Sequence, residues 1–231
     1  MPGTTFPQVR GIGRGGHYLV MGRPMRQKSP RADVHIWQRG NHQESVFLSP
    51  ADNREFLRLL RRGAERFEMR IMGYCLMRNH YHVIASGERA NSIEKAIGQA
   101  NHDYSLYMHR RREQTGQLWQ GRYGSVLLSE AHFWTAMCYV ERNPVEAGIA
   151  PVAWEWPWSS ARAHLGMEKA GFLDTAKWGE RYRAETWRVA LEEGIYESSM
   201  IERLEEAVRT GRTIECEEFR EVARKALAAG K

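Results

Sequence analysis

Residues 69–86 read MRIMGYCLM, then RN, then HYHVIAS. Met69 to Met77 is apolar enough for a strand, Arg78-Asn79 makes a tight turn, and His80 to Ser86 is a second apolar run. The stretch predicts a hairpin whose return strand begins on two histidines. Successive strand side chains point to opposite faces, so His80 and His82 share one.

Upstream, Ala32 to Gln38 is predicted as the first strand, with Val34, Ile36 and Gln38 alternating with His35 and Trp37; Arg39-Gly40-Asn41 turns the chain. Ser49-Pro50-Ala51-Asp52 offers a helix start, and Phe56, Leu59, Leu60, Ala64 and Phe67 keep helical spacing. Arg54, Arg58, Arg61 and Arg62 line the other side and read as a solvated face. Downstream, Ser92 is the expected cap of a helix from Ile93 to about Arg111. Ser125 to Ser129 is a short strand and Glu130 to Ala147 a helix, in which Asn143-Pro144 predicts a kink or an end. The order β-α-β-β-α-β plus one helix gives an α+β ferredoxin-like sandwich, helices on one face of an antiparallel sheet.

This domain is expected over residues 32–165, after a flexible basic arm at 1–31. Trp154, Trp156 and Trp158 are expected to latch the connection that follows onto the domain. A helical extension fills 166–231, with helices at Thr186–Glu193, Ser198–Thr210 and Glu215–Ala228.

Charge is uneven. Residues 1–165 carry 22 Lys+Arg against 14 Asp+Glu, while 166–231 carry 12 against 14. The histidine-bearing part is the basic part, which points to a polyanionic partner. Cys75, Cys138 and Cys216 form no C-x-x-C, which argues against a disulfide scaffold or a thiolate zinc site and fits a reducing cytosol. No apolar run predicts a signal peptide or a membrane span.

H-x-H alone is a weak signal, because most such pairs are structural. Two imidazoles bind Mn²⁺ well and Mg²⁺ less well, and they need a third ligand. Asn143 supplies an amide carbonyl one helical turn, about 6 Å, beyond Tyr139. A phenol near pKa 10 needs a nearby cation before it attacks a phosphate. His80, His82, Asn143 and Tyr139 together form the minimum equipment for metal-assisted phosphodiester cutting by tyrosine. On residue type alone, Tyr139 also reads as a half-buried helix aromatic, with Tyr104, Tyr107 and Tyr123 as rival phenols. The loop Gly116 to Tyr123 carries Trp119, Gln120 and Arg122, groups that hold unpaired bases; core filling by Trp119 is the equal alternative.

Four ordered stretches resemble the REP-associated tyrosine transposases, single-tyrosine members of the HUH transposases. They are His35 to Asn41, Tyr74 to Ile84, Gly116 to Tyr123, and Tyr139-Val140-Glu141-Arg142-Asn143-Pro144-Val145-Glu146-Ala147-Gly148. The resemblance implies a Mg²⁺ or Mn²⁺ ion on His80, His82 and Asn143, with Tyr139 as nucleophile. The expected DNA contacts are Arg39, Asn41, Trp119, Arg122 and Arg142, of which Arg39 and Arg142 are also placed to favour phenolate character at Tyr139. The implied substrate is single-stranded, hairpin-forming DNA of the REP palindrome type, cut to a 5′-phosphotyrosine and a 3′-hydroxyl and then rejoined in the bacterial cytosol at the nucleoid. Monomer and homodimer both stay open. A non-catalytic single-strand binder with aromatics on its sheet, and a hydrolase using bound water, are the competing readings.

Overall fold

The computed structural model describes residues 30–113, 115–169, 171–194, 201–202 and 205–206. Strands β1 (Val34–Arg39), β2 (Met69–Leu76), β3 (His80–Gly87) and β4 (Gly124–Leu127) form one antiparallel sheet in the order β2-β3-β1-β4. Helices α1 (Pro50–Phe67) and α2 (Ser92–Arg112) connect them in the expected β-α-β-β-α-β order.

The α1 start follows its sequence signal. Ser49 accepts a hydrogen bond from the Asp52 amide, and Pro50 enters at the first helical position. Helix α2 starts one residue earlier than expected: Asn91 is its cap residue, and the Ser92 hydroxyl accepts from the Arg89 amide instead. Gly63 explains how the two helices meet, because a Cβ there would lie 2.7 Å from the Ala96 carbonyl oxygen. Phe56, Leu60, Ile97 and Tyr104 are buried against Ile36, Tyr81 and Val83, the opposite strand face from the histidines. Each such side chain contributes roughly 1.5–3 kcal/mol on leaving water.

The other sheet face is covered by α3 (Glu130–Glu146). Ser129 caps it by accepting from the His132 amide. Pro144 does not end it. The helix runs to Glu146, then Gly148, at φ +65°, turns the chain while the Ile149 amide donates to the Pro144 carbonyl.

The tryptophan-rich connection latches as expected, and its backbone does most of it. The Leu76 amide donates to Trp158 O, the Ser160 amide to Tyr74 O, and the Trp156 indole to Leu76 O at 2.8 Å. Together with the Asp174 amide on Ile71 O, these bonds cover the outer edge of β2, which would otherwise invite pairing with another chain. Short helices α4 (Ala161–His164) and α5 (Ala176–Arg181), not foreseen, precede α6 (Ala184–Glu193), which contains the expected Thr186–Glu193. Trp187 of α6 is fully buried against α3. The arm up to residue 29 and the helices expected at 198–210 and 215–228 lie outside the described residues, apart from 201–202 and 205–206, which are helical.

Candidate active site

The register sets one face of the sheet. Arg39 pairs with His80, Trp37 with His82 and His35 with Ile84, so β1 and β3 present His35, Trp37, Arg39, His80 and His82 together. Helix α3 crosses this face and lays Tyr139 over it. The Tyr139 ring stands edge-on to His82, centroids 5.8 Å apart, and edge-on to His35 at 6.2 Å. Asn143, one turn on, is near enough to act on both the His80 ring and the Tyr139 hydroxyl. The strand pair and the helix pair thus meet.

Each imidazole is held by one nitrogen. His80 Nδ1 lies 2.7 Å from Asn79 Oδ1, and Asn79 is fixed by donating its amide to the Gln43 carbonyl. His82 Nδ1 lies 2.9 Å from His35 Nε2, leaving His82 Nε2 buried with no hydrogen-bond partner. Sequence reasoning gave neither Asn79 nor His35 a role. Only the β1–β3 register could have shown His35 behind His82.

Burial keeps these groups neutral. The His80 pKa falls to about 4 through desolvation and then the Arg39 charge, against the Asn143 hydrogen bond. His82 is held well below the usual range by burial and by its neighbours His80, His35 and Arg39. Burial lowers His35 to about 3. The Tyr139 phenol is pushed up to about 12 by desolvation; Asn143 and the Arg39 charge pull it down, and Glu205 pushes it up.

These residues fit a divalent cation. Among the described residues no three His, Cys, Asp or Glu side chains cluster to hold a metal, so the third ligand would be an amide oxygen. Two neutral imidazoles with their far nitrogens secured, the orphaned Nε2 of His82, and the Asn143 carbonyl make an N,N,O set suited to Mn²⁺ over Mg²⁺.

The expected DNA contacts divide. Arg39 borders the site and its buried Nε has no partner, while Asn41 is half-buried just beyond it. Arg122 is exposed on its loop. Trp119 is corrected: it is buried among Phe47, Phe56, Tyr81 and Tyr104 and donates its indole N–H to Asn101 O, so it fills the core and offers no face to a base. Arg142 is corrected too. Its guanidinium ties α3 to the carbonyls of Leu191 and Glu192 at the end of α6, and to Glu146.

The family model described as "Transposase IS200 like" matches residues 28–143, half of the chain, including every strand and all of the residues gathered above. The chain belongs to the IS200-like transposases. No curated protein matches it. Among solved structures, the transposase resembles a REP-associated tyrosine transposase bound to a REP hairpin, at 12% identity and TM-score 0.51, over 67% of this chain and 98% of that one. A crystal structure ascribed to a transposase of Deinococcus radiodurans R1 matches at 17% identity and TM-score 0.37, over 61% and 95%. The first likeness, at that identity, confirms the α+β fold of this transposase. No described helix is long and apolar enough to cross a membrane.

Proposed function

We propose that this transposase cuts and rejoins single-stranded, hairpin-forming DNA in the bacterial cytosol through a 5′-phosphotyrosine at Tyr139. The observation that carries the reading is Tyr139 standing edge-on over His82, whose Nε2 is buried without a partner, with Asn143 one turn along acting on both His80 and the phenol. The catalytic unit is residues 32–165, with the basic arm and the helical extension as accessories.

His80, His82 and Asn143 would hold Mg²⁺ or Mn²⁺, which when bound draws charge off a nonbridging phosphate oxygen. The Tyr139 oxygen attacks phosphorus in line, the P–O3′ bond breaks, and the phenol proton passes, net, to the leaving 3′ oxygen. A 3′-hydroxyl then attacks the phosphotyrosine, restoring the phenol and sealing a strand. Arg39 contributes fixed positive charge beside both the phenol and the incoming phosphate, while Asn143 orients the hydroxyl. Arg39, Asn41 and Arg122 form the DNA-contacting rim. The hairpin substrate is supported by the REP hairpin on the structural neighbour.

Labelled hairpin DNA incubated with Mn²⁺ and resolved on denaturing gels tests this. A protein–DNA adduct is expected from the wild type and none from Tyr139→Phe. Cleavage by the variant would turn the reading to a hydrolase. Unchanged binding in chelator with no cleavage by either would leave a binding module.

A further inference from the structure

His35 is fully buried, belongs to no ligand set, and meets the site at His82 and at the edge of the Tyr139 ring. The His35 and His82 rings lie edge to edge and near-parallel, centroids 5.1 Å apart and planes 15° apart, with His35 Nε2 2.9 Å from His82 Nδ1. One proton must lie between two nitrogens that each could carry it, and the choice has consequences on the far side of each ring. If His35 donates, His82 carries its proton on the buried, unpartnered Nε2 and cannot offer that atom as a lone pair. If His82 donates from Nδ1, its Nε2 is free to bind a cation and His35 carries its own proton on Nδ1.

We propose that His35 is a positioning residue: it accepts the Nδ1 proton of His82 and so fixes that ring in the tautomer and orientation a metal ligand needs. This rests on the metal site proposed above. A ligand imidazole usually gives its second N–H to a carboxylate or a backbone carbonyl, which hold it firmly. Here the acceptor is another neutral imidazole, packed against Trp37 at 5.3 Å and Tyr139 at 6.2 Å, so the acceptor is oriented by the rings around it. The strand register makes the arrangement: His35 sits one strand across and two positions along from His82, on the same face.

The test compares His35→Leu, which removes the acceptor, with His35→Gln, whose amide oxygen can take the place of Nε2. Mn²⁺ affinity is read by calorimetry, thermal unfolding reports the fold, and ¹⁵N shifts of the wild type with saturating Mg²⁺ report the His82 tautomer. The expected result is a loss of roughly 10–100-fold in Mn²⁺ affinity for His35→Leu, restoration to within about threefold by Gln, and protonated Nδ1 on His82. Equal affinities in wild type and both folded variants, equal losses in both, or a protonated Nε2 on His82 would overturn it. Should His35→Leu not fold, the wild-type ¹⁵N shifts and the Gln variant decide. A wild type that binds no divalent ion in calorimetry contradicts the metal site itself, a separate failure from a bound ion with the wrong His82 tautomer.

Discussion

Glu141 and Tyr139 lie two positions apart on α3 and point to opposite fates: Tyr139 over the histidines, Glu141 into a fully buried cluster. One Glu141 oxygen accepts from His164 Nδ1 at 2.6 Å and Ser160 Oγ at 2.5 Å, and the other from the Trp187 indole at 2.8 Å. A single carboxylate therefore ties α4 and α6 to the helix that carries Tyr139.

Replacing that carboxylate leaves the buried His164 and Trp187 donors without an acceptor and Ser160 with only the Tyr74 carbonyl, 3.3 Å away. Glu141→Ala is expected to cost about 2–5 kcal/mol, at ~1–3 kcal/mol for each buried donor left unsatisfied. Urea unfolding measures it. A cost below about 1 kcal/mol would mean that α4 and α6 are not fastened through this group.

Trp119 and Arg122 separate packing from DNA contact. Trp119→Ala should cost about 3–5 kcal/mol of stability, as for a large aromatic removed from a core. Arg122→Ala should leave stability within about 0.5 kcal/mol, while weakening DNA binding uniformly across sequences and lowering the salt slope by about 1. Salt titrations of binding alongside thermal melts read both. Lost affinity with unchanged stability for Trp119→Ala would restore it to the DNA surface.

The contrast shows what the sequence made legible. The hairpin, the Ser49 cap and the β-α-β-β-α-β order follow from local period and turn chemistry, and all appear in the fold. The histidine pair and the Tyr139–Asn143 pair were readable because period two and period 3.6 each put their members on one face. What escaped was decided at long range. Trp119 suits a base or a core equally by composition, and only the crowd of Phe47, Phe56 and Tyr104 settles it. Arg142 was recruited by carbonyls some fifty residues away. Pro144 failed to end α3 because it falls in the final turn, where a missing N–H removes only one helical bond.

Stability without metal should fall in mild acid. His35 and His80 have folded pKa values lowered to about 3 and about 4, so below about 6.5 the unfolded chain binds protons that the native one refuses. Their contribution is complete above pH 6.5 and is lost progressively as pH falls toward 4 and 3. His35 alone accounts for on the order of 3 kcal/mol by pH 4, at about 1.4 kcal/mol per unit. Melting in chelator from pH 7 to 4 should therefore fall more steeply for wild type than for His35→Gln. Parallel slopes would show that His35 is solvated or already protonated.

Asn143 is the joint between the two halves of the site, so its removal should act on both. Asn143→Ala takes away a proposed ligand oxygen and the hydrogen bond that pulls the Tyr139 phenol down from its buried value. Mn²⁺ affinity should drop by at least the ~10–100-fold typical of supporting partners, and adduct formation should fall at limiting Mn²⁺. High Mn²⁺ should recover only part of it, since the phenol still lacks its orienting amide. Asn143→Asp keeps an oxygen at the same place with added charge and should hold Mn²⁺ at least as well as wild type. Calorimetry and adduct gels on the two variants decide the point, and wild-type Mn²⁺ affinity in Asn143→Ala would remove the amide from the ligand set.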